Sequence, residues 1–238
     1  MTASISIHQA DLLDYVVEPF AWTFARERES EIAAHWDQLR AHQPALYDGR
    51  VLLMHAWELV REAAQTQLRA RHFETGFKSF IAWRDFGFPD ASVRNCFSMA
   101  ALRSADGAFL LGVMGAHTSN PGQIYFPAGT PDPGDIIGDR LDMAGSATRE
   151  LAEETGLDAG DLRIAEDWSI VNAGPRLGCM KLMQSEQDAV TLRKQIEGFL
   201  GAQDKPELSG IHIVRTRADL APGLMPAFML AWLEANLP

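Results

Sequence analysis

The sequence has few cysteines, no basic tract and no long apolar run. Its two cysteines, Cys96 and Cys179, lie far apart without the spacing of metal ligands, which indicates reduced core residues in a cytoplasmic protein. The net charge of -11 argues against a nucleic-acid partner, because a basic surface is needed to neutralise phosphates. No apolar run reaches the length of a membrane span, and no charged-then-apolar leader opens the sequence. We therefore expect no membrane partner.

Three common catalytic motifs are also missing. The sequence contains no Gly-x-Ser-x-Gly elbow, no His-Glu-x-x-His zinc helix and no phosphate loop of the Gly-x-x-x-x-Gly-Lys type. Its seven histidines are scattered singly, and His212, in a predicted late strand, is interpreted as a packed residue rather than a general base. With 47% hydrophobic and 22% charged residues, the composition is that of an ordinary globular protein with a real core.

Strand and helix patterns are mixed along the whole chain. Helical spacing of apolar residues predicts helices over 21–41, 75–87, 142–155, 188–200 and 226–233. Strand patterns cover 4–7, 15–19, 50–60, 65–73, 93–102, 108–115, 123–126, 162–171, 178–183 and 211–215. The 130–140 segment, rich in proline, glycine and aspartate, is predicted to be loop only.

The turn at 87–90 is the best candidate for a domain boundary, because Gly and Pro interrupt both types of pattern there. It divides the chain into an N-terminal α+β extension, 1–90, and a second domain, 91–238. Strands mixed with helices in both parts predict a layered α/β or α+β fold. The extension is long enough to supply an interface for a homodimer.

The stretch 149–157, Arg-Glu-Leu-Ala-Glu-Glu-Thr-Gly-Leu, concentrates acidic charge on one helix face. Glu150, Glu153 and Glu154 are related by three and four residues, a spacing at which like charges repel. Gly156 reads as the residue after the helix end, where the helix dipole disfavours carboxylates further. A solvated acidic face is one explanation. A hard divalent cation, Mg²⁺ or Mn²⁺, is the other, because such ions take oxygen ligands.

The same stretch resembles the second half of the Nudix box, Arg-Glu-x-x-Glu-Glu-x-Gly with the following leucine, at all of its specified positions. The resemblance implies an α/β/α sandwich with a mixed sheet that hydrolyses the diphosphate of a nucleoside diphosphate joined to another group. It also implies that Glu150, Glu153 and Glu154 bind Mg²⁺ or Mn²⁺. Glu150 is alternatively the group that orients the attacking water. Arg149 is predicted to hold the loop before the helix.

The first half of the box departs from the family pattern. A glutamate is expected eight residues before Arg149, where Leu141 stands; the neighbouring Asp142 occupies the helix N-cap. The expected glycine is displaced as well, since Gly129 lies six residues farther upstream than the usual spacing. The 130–140 loop therefore reads as an insertion. In the family the missing glutamate mainly braces the loop, so its loss concerns loop geometry more than catalysis.

Segments outside the box resemble one branch of this family. The 43–48 series, Gln-Pro-Ala-Leu-Tyr-Asp, and the 83–86 series, Trp-Arg-Asp-Phe, precede Phe-Pro-x-Gly at 126–129. This order is similar to that of UDP-sugar (UDP-glucose) pyrophosphatases with an N-terminal extension. The resemblance implies that a UDP-sugar is hydrolysed to UMP and a sugar 1-phosphate, and that Glu207, just before a late strand, completes the metal site. The alternative for Glu207 is an exposed loop position.

Two other functions remain open from the sequence. Residues 122–129 partly resemble the coenzyme A pyrophosphatase signature without its two arginines, so a coenzyme A or ADP-ribose type substrate is an alternative. The altered half of the box also admits a non-catalytic nucleotide-binding domain. For contacts with the phosphates or base of a substrate, the candidates are Arg84, Asn172 and Arg176, each alternatively a surface or loop-stabilising residue.

Overall fold

Strands and helices alternate through the computed structural model, which describes residues 4–44 and 46–238. Its helices are α1 (Thr23–Glu27), α2 (Glu29–His42), α3 (Phe77–Asp85), α4 (Met143–Thr155), α5 (Ala189–Gly201) and α6 (Ala227–Asn236). Its strands are β1 (Ser6–Ala10), β2 (Leu12–Val17), β3 (Arg50–Glu62), β4 (Gln65–Gly76), β5 (Asn95–Arg103), β6 (Phe109–Met114), β7 (Ile124–Tyr125), β8 (Ala128–Gly129), β9 (Ile136–Ile137), β10 (Arg140–Leu141), β11 (Arg163–Ile164), β12 (Trp168–Ala173), β13 (Arg176–Gln184) and β14 (Leu208–Val214). Residues 1–3 of the predicted extension and position 45 of the 43–48 series lie outside the described residues.

A large mixed sheet forms the centre of the molecule. Its strands run in the order β1-β12-β13-β5-β6-β14, with β13 and β5 parallel and the other pairs antiparallel. The short strands β11, β7 and β8 pair with β13, β6 and β5. Helices α4 and α5 cover one face through Leu151 and Ile196, while α6 covers the opposite face through Phe228 and Trp232. The layers are therefore helix, mixed sheet, helix, which confirms the predicted fold class.

A smaller sheet, in the order β3-β4-β2-β10-β9, packs against the large one. The predicted hairpin of 50–60 with 65–73 is present as the long β3–β4 pair. Strand β1 lies in the large sheet beside β12, whereas β9 and β10 join the smaller sheet through β2. The boundary at residue 90 stays a prediction, and strands from each side of it enter the sheet of the other.

Three sequence predictions differ from the structure. The helix over 21–41 is two helices, since Arg28, with φ of -110°, ends α1 and precedes α2. The strand over 162–171 is divided into β11 and β12, because the Lys181 ammonium donates to the carbonyl oxygen of Glu166 at 2.8 Å and holds that backbone out of the ladder. The 130–140 loop is partly ordered: a 3-10 turn over Pro133–Asp135 precedes β9 and β10, which reverse at Gly138 with φ of 67°.

The two cysteines are buried and free, as predicted from the sequence. Cys96 and Cys179 lie on the adjacent strands β5 and β13 with their sulfurs 4.0 Å apart. The Tyr15 hydroxyl lies 3.1 Å from the Cys179 sulfur, so this buried polar group has a partner. Among the described residues, no helix is long and apolar enough to cross a membrane.

His72 is a fully buried residue of β4, and neither ring nitrogen has a hydrogen-bond partner among the described residues. Its ring packs on Tyr15 with centroids 5.0 Å apart. Burial, with a smaller effect of His55, lowers the pKa of His72 from 6.5 to about 3. Between those two values the unfolded chain binds a proton that the folded protein does not.

We therefore expect His72 to make the protein less stable as pH falls from about 6.5 towards 3. The expected slope is up to about 1.4 kcal/mol per pH unit, and the full stability is present above pH 6.5. The His72→Leu variant should lose this part of the acid sensitivity, whereas His42→Leu, a change at an exposed histidine of α2, should keep it. Urea unfolding between about pH 4 and 8 measures how the free energy of unfolding depends on pH. The same pH dependence in the wild type and in His72→Leu would contradict the role of His72.

Candidate metal-binding and catalytic site

Helix α4 presents the acidic stretch to the edge of the large sheet. The Asp142 carboxylate accepts a hydrogen bond from the Gly145 amide at 2.9 Å, and Gly156 ends the helix with φ of 70°, so both predicted helix ends are confirmed. Ala147 and Leu151 are fully buried against the sheet. Because the helix is anchored by this face, the glutamates project along its flank towards β7 and β8.

Glu154 is the most deeply buried of these glutamates, with 4% of its surface exposed. One carboxylate oxygen, Oε1, accepts a hydrogen bond from the Ala128 amide at 3.0 Å. The other, Oε2, is buried and has no partner among the described residues. Burial raises the pKa of Glu154 to about 8, the hydrogen bond from Ala128 lowers it, and the nearby Glu207, Glu150 and Glu153 raise it further.

Glu150 packs against the backbone of Gly129. A Cβ atom at position 129 would lie 2.1 Å from Glu150 Oε1, so a larger residue there would displace the Glu150 carboxylate from its present position. Burial raises the pKa of Glu150 to about 7, and Glu153, Glu207 and Asp135 raise it further against the opposing charge of Arg149. Gly129 therefore lies next to the acidic helix despite its displacement in the sequence.

Glu153 and Glu207 complete the group of carboxylates. The Glu153 side chain is 60% exposed and lies at the rim, with Oε2 3.2 Å from Arg149 Nη1. Glu207 precedes β14; burial raises its pKa, the nearby His117 lowers it and Glu153 raises it. We call Glu150, Glu153, Glu154 and Glu207 the carboxylate cluster. Glu207 is exposed, as in the alternative interpretation of this residue, and it lies close enough to α4 for its charge to raise the pKa of Glu150 and Glu154.

The carboxylate cluster fits a divalent cation by its chemistry. Mg²⁺ and Mn²⁺ prefer oxygen ligands, and Glu154 Oε2 is a buried oxygen with no hydrogen-bond partner among the residues described. Burial is the largest cause of the raised pKa of Glu150, Glu154 and Glu207, and the charges of neighbouring glutamates add to it. Within 4–44 and 46–238, no three such side chains already converge as closely as metal ligands do, so rotation of their side chains is needed to bind an ion.

Arg149 is braced by a residue that the sequence analysis missed. Its Nη2 donates to Asp135 Oδ1 at 3.0 Å, while Nη1 lies 3.0 Å from Glu150 Oε1. Asp135 is buried, and its Oδ2 also accepts from the Asp132 amide at 3.0 Å. The inserted loop thus supplies its own carboxylate in place of the missing upstream glutamate. Its three aspartates were the only signal in the sequence, and their spacing from Arg149 did not reveal which one is used.

Tyr125, on β7, is a second residue that the sequence analysis missed. Its hydroxyl lies 3.4 Å from Asn120 Nδ2. Burial raises the pKa of Tyr125 to about 12, and the negative charges of Glu154 and Glu207 also raise this pKa. The hydrogen bond from Asn120 and the positive charge of Arg84 lower it. Tyr125 therefore keeps its proton near neutral pH and lies between the carboxylate cluster and Arg84. Nothing in its sequence context distinguishes it from a core strand residue.

No family model matches this sequence, and no curated protein matches it. Solved structures that it resembles include RenU, a Nudix hydrolase from M. smegmatis, with 16% identity, 61% of this chain and 88% of that chain covered, and a TM-score of 0.39. A MutT protein from Methanosarcina mazei Go1 is 17% identical, with 60% of this chain and 92% of that chain covered and a TM-score of 0.37. The Bacillus subtilis pyrophosphohydrolase BsRppH is 12% identical, with 75% of this chain and 80% of that chain covered and a TM-score of 0.31. At these low identities and TM-scores the resemblance carries no conclusion about activity.

The structure separates the three predicted substrate-binding residues into two groups. Arg176, at the start of β13, pairs with Ala173, whereas Asn172 pairs with Leu177, so Asn172 and Arg176 project from opposite faces of the hairpin. Asn172 Oδ1 accepts from Arg94 Nη1 at 3.3 Å. Arg84 lies near Arg176, since its charge is one cause of the lowered pKa of Arg176 after burial. A role of Asn172 in substrate binding stays a prediction.

Proposed function

We propose that this protein hydrolyses the diphosphate bond of a nucleoside diphosphate linked to another group, using Mg²⁺ or Mn²⁺. The observation that carries the proposal is the carboxylate cluster, in which four glutamates from α4 and the segment before β14 share one edge of the sheet. Two of these side chains, Glu150 and Glu154, are costly to ionise because they are removed from solvent, and such carboxylates concentrate at functional sites.

The proposed roles follow from burial and exposure. Glu153, Glu154 and Glu207 would hold the ion, and Glu150 would bind it or orient the attacking water. Once bound, a divalent ion neutralises the diphosphate and lowers the pKa of a bound water. The water oxygen would bond to one phosphorus atom and lose a proton, while the bridging P–O bond would break and the second phosphate would leave. Tyr125 remains protonated and can donate a hydrogen bond to a phosphate oxygen.

For the substrate we propose a nucleotide sugar, with a UDP-sugar giving UMP and a sugar 1-phosphate. The support is the order of the segments before residue 90 and the position of Glu207 directly before β14. A cytoplasmic location and a homodimer formed through the extension are further proposals. The alternatives are a coenzyme A or ADP-ribose type substrate and a nucleotide-binding domain without activity.

A substrate panel tests the proposal. The protein is incubated with UDP-glucose, ADP-ribose and coenzyme A, each with Mg²⁺ and with EDTA, and the products are identified by mass. We expect UMP and glucose 1-phosphate from UDP-glucose with Mg²⁺ only. Turnover of coenzyme A or ADP-ribose instead would support the proposed reaction and contradict the proposed UDP-sugar substrate. Metal-independent binding of UDP-glucose with no turnover of any compound would favour the non-catalytic alternative.

A further inference from the structure

Arg176 carries a half-buried guanidinium without an acidic partner. It forms no ion pair and no side-chain hydrogen bond within the part of the chain that the structure describes, and its guanidinium lies over the Phe88 ring at 5.3 Å from the centroid. Burial and the nearby charge of Arg84 both lower the pKa of Arg176. The sequence has 32 acidic residues against 21 lysines and arginines, so acidic partners are plentiful elsewhere. An unpaired guanidinium in this setting calls for an external anion.

Arg84 is placed beside Arg176 by the end of α3. Its carbonyl oxygen accepts from the Gly87 amide at 3.0 Å, and this reversal brings the ring of Phe88, whose φ is 58°, under the Arg176 guanidinium. The only carboxylate that Arg84 contacts in the described ranges is its neighbour Asp85, at 2.9 Å. Asp85 also bonds His35 at 2.9 Å, so its charge is shared. The charge of Arg84 thus acts on Arg176, and Asp85 is the one carboxylate in the described part of the chain that contacts either guanidinium.

Strand pairing relates Arg176 to the carboxylate cluster through β5 and β8. Arg176 pairs with Asn95 across β13 and β5, and Asn95 Nδ2 donates to Thr130 Oγ1 at 3.3 Å. Thr130 follows Gly129, the residue that contacts Glu150 and pairs with Ser98. Asn95 and Ser98 are three residue steps apart on β5, or about 10 Å, and their side chains leave opposite faces of the strand. Tyr125, whose pKa responds to Glu154, Glu207 and Arg84, places Arg84 near the same end of the sheet as the glutamates.

We propose that Arg84 and Arg176 form an anion-binding pair that holds a phosphate or carboxylate group of the substrate beside the carboxylate cluster. The inference rests on the proposed function for the identity of the substrate. Two convergent guanidiniums bind oxyanions through several charge-assisted hydrogen bonds, and the Phe88 ring keeps the Arg176 side chain extended towards the ligand. The anion is either the diphosphate itself or an acidic group on the attached sugar.

Binding without turnover tests the pair independently of hydrolysis. UDP, UDP-glucose and UDP-glucuronate are titrated by calorimetry in EDTA against the wild type and the Arg84→Gln, Arg176→Gln and Arg176→Lys variants. We expect each glutamine variant to raise Kd at least about tenfold and the lysine variant to retain part of the affinity. Arg163→Gln, a change at an exposed arginine of β11, is the matched control and should bind as the wild type does.

The three ligands distinguish the two sources of the anion. Equal losses for UDP-glucose and UDP-glucuronate assign the pair to the diphosphate, and a larger loss for UDP-glucuronate assigns it to the acid of the sugar. Glutamine variants with wild-type affinity for all three ligands would overturn the inference, as would a wild type that binds none of them. If the glutamine variants bind more weakly but the wild type hydrolyses none of the panel, the anion-binding pair is supported and only the proposed function is contradicted.

Discussion

The Glu154→Gln variant is expected to lose at least about a hundredfold in kcat and to lose its response to Mg²⁺. Glu154 Oε1 accepts a hydrogen bond from the Ala128 amide, while Oε2 is buried and has no partner in the described part of the chain. Glutamine keeps the shape of the protonated acid and can still accept from Ala128. It cannot supply the second anionic oxygen. The change therefore removes one donor of the metal site with little change in packing.

Thermal unfolding separates this effect from a loss of structure. In EDTA the variant should unfold at nearly the temperature of the wild type, because burial already raises the pKa of Glu154 to about 8 and the native acid is largely protonated near neutral pH. Added Mg²⁺ should stabilise only the wild type, by about 2.7 kcal/mol at a hundred times Kd. Glu234→Gln, a change at an exposed glutamate of α6, is the control. A variant that keeps both kcat and the Mg²⁺ shift would exclude Glu154 from the metal site.

The Asp135→Ala variant is expected to lose about 2 kcal/mol of unfolding free energy and about tenfold to a hundredfold in kcat/KM. Asp135 is buried and accepts from Arg149 and from the Asp132 amide. Its removal leaves these donors without their acceptor. The Arg149 guanidinium, which is 38% exposed, can then move onto Glu150 and Glu153, and solvent around it keeps the loss below that of a fully buried pair.

A double-mutant cycle with Arg149→Met measures this coupling, using urea unfolding for stability and initial rates for kcat/KM. The control is Asp139→Ala, since Asp139 is in the same loop but has a side chain that is 79% exposed. If Asp135→Ala lowers stability but leaves kcat/KM unchanged, the loop brace has no part in positioning the glutamates. Additive effects of the two changes would show that Asp135 and Arg149 act separately.

The inserted loop explains how the altered half of the acidic motif remains consistent with a working site. It contains a 3-10 turn capped by Asp132, from which Asp135 reaches Arg149, and it continues into β9 and β10 of the smaller sheet. The loop is therefore attached both to α4 and to the N-terminal part of the chain through β2. This attachment gives the N-terminal segment a physical link to the position of Arg149.

The acidic helix could be predicted from sequence because its determinants are local. The Asp142 cap, the buried Ala147 and Leu151, and the left-handed Gly156 are all set by residues within one helix, and the repulsion among its glutamates follows from their spacing. The helix-sheet-helix layering followed in the same way from the periodicity of apolar residues, since period and burial are directly related in helices and strands.

Contacts between distant segments were decided only by the tertiary structure. Asp135 reaches Arg149 from across a loop whose path depends on pairing with β2. Arg84 lies near Arg176 because α3 packs on β3 and β4 of the smaller sheet and the following Phe88 lies under Arg176. The burial of Glu154 likewise depends on where β8 lies. Such contacts join residues far apart in sequence, and no local pattern specifies which of several like residues will meet. The acidic face of α4 was thus determined by the sequence alone, while the residues that brace and extend it were chosen by packing.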